Sequence, residues 1–286
     1  MKSFFQLLIK SFKEWKDDNA TSQAAALSYY TIFSLAPLIT IIITLLGLFY
    51  SESDLNSVFM EQVTELIGPS AKQIFKSIID TADKPNASSI AAIISLVTMI
   101  FGATGVFVQL KNALNTTWKV KEQKSEGITG MVKVRAIAFT GIVAFSFLLL
   151  VSLFASTIII TLTRNIVSNT KVYLVLLEIL NQVIAVGVIT VFFALIFKYL
   201  PDANVAWKDV WIGALFTSVL FNIGKYGIGL YLGNSNIGSA LGAAGSVLIV
   251  LLWVYYSALI VLFGAKFTYV YSERYGSGTR EIEESN

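Results

Sequence analysis

Of the 286 residues, 55% are hydrophobic and only 14% charged, with a net charge of +3 and a mean hydropathy of +0.71. A water-soluble domain usually carries about 25% charged residues, so this composition points to lipid as the solvent. The chain has no cysteine and no histidine. That excludes disulfides, iron–sulfur clusters and thiol nucleophiles, and removes the usual Ser-His-Asp, Cys-His and zinc–water chemistries.

Residues 2–17 (KSFFQLLIKSFKEWKD) set an apolar face, Phe4, Phe5, Leu8, Phe12 and Trp15, against Lys2, Lys10, Lys13 and Lys16. The run is too short and interrupted for a signal peptide, and no small-residue cleavage site follows it. It reads as an amphipathic helix, either lying in the cytoplasmic interface or packed on the inner end of a helical bundle. The first membrane span covers 24–50, with small residues Ala24, Ala25, Ala26, Ser28 and Ser34 for close packing and a kink expected at Pro37. Residues 51–89 are polar and acidic, six acids against three lysines. Apolar stripes on either side of Gly68-Pro69 predict two short amphipathic helices on the outer side.

The second span is 90–110, followed by a basic loop, 111–135, with six basic residues against two acids. The third span is 136–163 and the fourth 173–197. A short loop, 198–208, holds Pro201 and Asp202. The fifth and sixth spans, 211–232 and 243–270, flank a glycine-rich connector in which Gly238, Gly242 and Gly245 suit tight packing better than a mobile gate. The polar tail, 272–286, is expected to fray.

The expected architecture is therefore all-α: one polytopic membrane domain of six transmembrane helices, with an N-terminal amphipathic helix and an outer helical pair. Six spans place both termini on one side. The segments on that side hold fourteen basic residues and the opposite loops five, so both ends should be cytoplasmic.

With so few charges, those inside the spans are the candidates for function, because a buried charge needs a partner, water or a job. In the fourth span Glu178, Asn181 and Gln182 fall at i, i+3 and i+4 and share a face. In the fifth, Ser218, Asn222, Lys225 and Gly229 share another. Glu178 and Lys225 each lie roughly 8–10 Å below the outer surface at 1.5 Å per residue. They form either a substrate or proton pathway, with Lys225 attracting an anionic group, or a structural ion pair. Lys266, near the inner end of the sixth span, is expected to snorkel to the headgroups, with a pathway role as the lesser alternative.

Four stretches carry a family resemblance: 24–39 (AAALSYYTIFSLAPLI), 102–120 (GATGVFVQLKNALNTTWKV), Leu200-Pro201-Asp202, and 242–271 (GAAGSVLIVLLWVYYSALIVLFGAKFTYVY). In order and spacing they resemble the YihY/BrkB family of bacterial inner-membrane proteins. The resemblance implies a six-span bundle in the cytoplasmic membrane and a transporter-like role. One departure stands out: Gly264-Ala265-Lys266 replaces an expected Gly-Ala-Glu, which weakens any mechanism needing a carboxylate there. The family has also carried the label ribonuclease BN. That activity needs clustered carboxylates or a general acid/base pair. Glu122, Glu126, Asp202 and Asp209 are too thinly spread to supply either, and the basic loop fits the positive-inside rule without nucleic acid.

The sequence thus supports a non-enzymatic membrane protein without cofactors, a transporter or lipid-handling protein for an anionic envelope component. A non-transporting scaffold in envelope assembly is the alternative. The partners implied are membrane lipids and an anionic small molecule or lipid as substrate, not nucleic acid, with a homo-oligomer left open.

Overall fold

In a computed structural model of the chain, the described residues are 2–46, 105–120, 136, 140, 147, 148, 151, 171–233, 243–278, 280 and 281. The expected outer pair at 51–89, most of the second and third spans, and the connector beyond Gly233 lie outside them.

The described chain is mostly helical. Helix α1 spans Lys2–Asp17 and α2 spans Ala20–Leu46. Residues 105–117 form α3. Helix α4 is Lys171–Tyr199, α5 is Trp207–Gly233 and α6 is Ala243–Tyr275. Helix α2 runs without interruption through Pro37. Among the described residues, two windows are long and apolar enough to cross a membrane, Gln182–Tyr199 of α4 and Val247–Tyr275 of α6. They bury only 22% and 33% of their residues within the protein, leaving apolar surface that water would penalise and lipid would not. On α5 the exposed stripe Ile212, Leu215, Val219, Ile223, Tyr226 and Leu230 repeats at steps of three and four. That is an exposed apolar stripe one helix face wide.

Helix α6 is central, packing against α1, α2 and α5, while α4 packs against α5. Ala20, Ala24 and Leu27 of α2, Leu114 and Trp118 at the end of α3, Phe197 of α4, and Ala258, Leu262 and Ala265 of α6 meet in one buried cluster. A smaller one joins Leu7 of α1 to Phe267 and Val270, with Phe216 stacked on Phe267 at 3.9 Å.

Glycine and threonine set the α5–α6 approach. Gly213 of α5 faces Thr268 of α6, and Gly264 of α6 faces Thr217 of α5, so that a Cβ on either glycine would overlap the opposing side chain. Both threonines are fully buried, and each hydroxyl donates at 2.7 Å to the carbonyl four residues back, Thr217 to Gly213 and Thr268 to Gly264. The polar atom is thereby satisfied within its own helix, and the methyl group fills the space over the glycine.

Helix ends depart from expectation in two places. Helix α3 continues through Thr117, seven residues past the expected end of the second span at residue 110, because Ala113, Leu114 and Thr117 are buried on the core. Helix α6 continues to Tyr275. Beyond it, Arg280–Glu281 pairs antiparallel with Ala203–Asn204, in register Ala203 with Glu281 and Asn204 with Arg280, and residues 282–286 lie outside the described residues.

Replacing Gly213 by Ala should destabilise the protein by about 1–3 kcal/mol through overpacking. Gly227→Ala, with nothing within 4 Å of the added Cβ, should be neutral or stabilising because alanine is the better helix former. Thermal unfolding of both variants in detergent checks the contrast.

Candidate functional site

The most concentrated chemistry among the described residues sits where α1, α3 and α6 converge. Helix α3 ends with the amide of Val120 bonded to the carbonyl of Asn115 and that of Lys119 to Thr116. Lys119 is left-handed, at φ 55°. This is a Schellman arrangement with lysine where glycine is usual. It leaves the Thr117 carbonyl without a helical donor. The Lys266 ammonium, on α6, donates to that carbonyl at 2.6 Å. A cation is well placed there, at the negative end of the helix dipole.

Two acids complete the cluster. Asn19, at φ 54°, turns the chain from α1 into α2. Asp18 precedes it, and its carboxylate lies 2.6 Å from Lys266. Glu14, one helical turn earlier, lies 3.1 Å from Lys119 and 3.9 Å from Lys266. The Tyr269 ring takes both ammonium groups over its face, Lys266 at 4.6 Å and Lys119 at 5.3 Å. Two carboxylates and two ammonium groups balance.

Lys266 is 0% exposed, so it does not snorkel as its place in the sequence suggests. Burial holds the Asp18 carboxyl above its ordinary range, an effect that the hydrogen bond and charge of Lys266 only partly offset. Lys119 is held above the ordinary lysine range by its hydrogen bond to Glu14.

The other polar ties are structural. Asp202 pairs with Lys111 at 2.8 Å, accepts from the Asn115 amide at 2.9 Å, and returns a backbone N–H to Asn115 Oδ1 at 2.8 Å. The Leu200-Pro201-Asp202 turn is thereby fastened to α3. Asp209, buried in the first turn of α5, accepts from the Ser272 hydroxyl and the Ser277 amide, each at 3.0 Å. Of the four acids weighed for nuclease chemistry, these two are committed to holding helices together. Glu122 and Glu126 lie outside the described residues.

The pathway residues read from the sequence fall along α4 and α5. Glu178 and Asn181 are in helical backbone with side chains outside those described, and Gln182 is exposed. Asn222 is buried and donates to the Ser218 carbonyl at 2.9 Å. The Ser218 hydroxyl crosses to the Val186 carbonyl of α4 at 3.0 Å. Lys225 is half-buried with its ammonium 5.5 Å from the Tyr226 ring centroid. Glu14, Asp18 and Lys119 were not among the sequence candidates. The available signal was the position of Glu14 on α1 and Asp18 just past its end, four apart and turned away from Lys13 and Lys16.

Against known families, the model described as Virulence factor BrkB matches residues 11–286. The chain belongs to this family. Relatives include proteins named UPF0761 membrane protein from three bacteria. The one from Alteromonas mediterranea is 26% identical, over 94% of this chain and 87% of its own. That from Ralstonia nicotianae is 26% identical over 87% of this chain, and that from Psychrobacter sp. 28% identical over 93%. The chain spans only 55% and 48% of those last two proteins. No solved structure matches. The chain is thus a membrane protein of the BrkB/UPF0761 family.

Lys266→Met, which leaves the Asp18 carboxylate and the Thr117 carbonyl without their cation while Glu14 keeps Lys119, should cost about 3–5 kcal/mol. Asp18→Asn combined with Lys266→Met should cost clearly less than the two single changes added. A double-mutant cycle on thermal unfolding in detergent reads the coupling.

Proposed function

We propose that this family member is a polytopic inner-membrane transporter or lipid-handling protein for an anionic envelope component. In this reading it has six spans and both termini in the cytoplasm, and performs no chemical step on its substrate. The entry lies along the α4–α5 seam. The observation that carries the reading is the polar line on α5: Ser218 bonded across to α4, Asn222 buried, and Lys225 half-buried. Three polar groups on one face of an otherwise apolar helix are costly in lipid unless they line a path or bind one another. Among the described residues, Lys225 faces an aromatic ring and no carboxylate. Its charge suits a phosphate or carboxylate group, with Glu178 and Gln182 of α4 as gating or guiding groups.

A second reading, a non-transporting scaffold in envelope assembly, is favoured by the Lys266 cluster. There the buried charges are matched within the protein and serve to fix helices.

Lys225→Leu and Glu178→Gln separate the two. If the seam transports, each variant inserts and melts like the parent, while movement of a labelled phosphatidylglycerol across reconstituted liposomes falls at least about tenfold. If the chain is a scaffold, the same variants lose stability, and exchanging the two charges restores it.

A further inference from the structure

Helix α1 has two faces of opposite character. One is turned inward: Leu7 and Ser11 are buried, and Glu14 and Asp18 reach Lys266 and Lys119. The other carries Phe5, Ile9 and Phe12, at i, i+4 and i+7, exposed by 64%, 55% and 55%. Lys13 and Lys16 follow Ile9 and Phe12 by four residues each, and so extend the same face. Both are exposed. Asp17 sits at its edge, and the remaining acids of the helix are on the buried side. Lys10, also exposed, pairs with Glu14 at 3.7 Å and flanks the face.

A helix in water would not leave these apolar side chains uncovered, and one wholly within the acyl region would not carry two lysines among them. The combination fits the boundary between headgroups and acyl chains. We propose that the outward face of α1 is a binding surface for anionic phospholipid. Lys13 and Lys16 take the phosphates, and Phe5, Ile9 and Phe12 enter between the chains.

Charge complementarity selects this occupant. Glu14 and Asp18 are withdrawn into the Lys266 cluster, leaving Asp17 at the edge against Lys13 and Lys16, so the face is net basic. A second copy meeting it across a twofold axis would set lysine against lysine. The consequence reaches the core, since the helix that contacts anionic lipid is the one that supplies the counter-ions of Lys266.

The absence of native cysteine allows a direct test on the full chain in nanodiscs. A nitroxide on Ile9→Cys is read for collision with oxygen and with a water-soluble nickel chelate. Nanodiscs of phosphatidylcholine alone are compared with an equal mixture of phosphatidylcholine and phosphatidylglycerol. The proposal expects protection from nickel in the mixture and greater nickel access without phosphatidylglycerol. It also expects the protein's preference for phosphatidylglycerol over phosphatidylcholine in co-purified lipid to fall about thirtyfold in K13Q/K16Q. Both substitutions are on the exposed face and leave the packed one intact. Nickel access in both lipids, an unchanged lipid preference in K13Q/K16Q, or spin–spin broadening from a second label would each overturn it. The last would put another copy of the chain on this face.

Discussion

The packing of the described chain depends on one charge kept out of water. Lys266 lies on the central helix, nine residues before its end at Tyr275, about 13 Å along the axis. An ammonium group there is tolerable only if its lost hydration is replaced. The replacement comes from a carbonyl that the Schellman turn of α3 leaves free, a carboxylate from the α1–α2 junction, and the face of Tyr269. Three separate stretches of chain must therefore arrive together. The buried charge specifies the arrangement more than it stabilises it, since a matched buried pair gains little over apolar packing while a broken one is expensive.

The rest of the packing works mainly by contact, with the Asp202–Lys111 pair as a further charged tie. In lipid there is no hydrophobic force between helices, so association depends on close fit and on polar groups satisfied in place. The reciprocal glycine–threonine contacts of α5 and α6 supply the fit. Asp209 and Asp202 tie the helix ends, joining α5 to the last turn of α6 and the segment after it, and the α4–α5 turn to α3. This end of the described helices is thus pinned at several points. The α4–α5 seam is held by the Ser218–Val186 hydrogen bond and by Phe193 against Phe221.

Much of the fold was legible because its signals are local. Apolar length identified the membrane class, and the periodicity of residues 2–17 gave α1. Helix ends were less legible. Residues 111–117 carry polar side chains that suggest a loop, yet Ala113, Leu114 and Thr117 are buried and keep them helical. The reading of Lys266 failed for the same reason: ending the last span at residue 270 put the lysine near the surface. Its partners lie about 150 and 250 positions away in sequence, and spacing within one helix cannot report that. The basic side of α1 was visible, but a one-helix pattern does not say what Glu14 and Asp18 would meet. For Lys225 and Asn222 the shared face was legible from their spacing, and the hydrogen bond from Ser218 to α4 adds which helix that face adjoins.

Docking of α1 on α6 through the Lys266 cluster is the claim on which the account turns. In the cysteine-free chain, Leu7→Cys and Val270→Cys introduce a pair within the small buried cluster those residues share. Oxidative cross-linking in native membranes should join the two in the parent background, and Lys266→Met should reduce the yield severalfold. No cross-link in the parent, or the same yield with and without Lys266, would contradict the account.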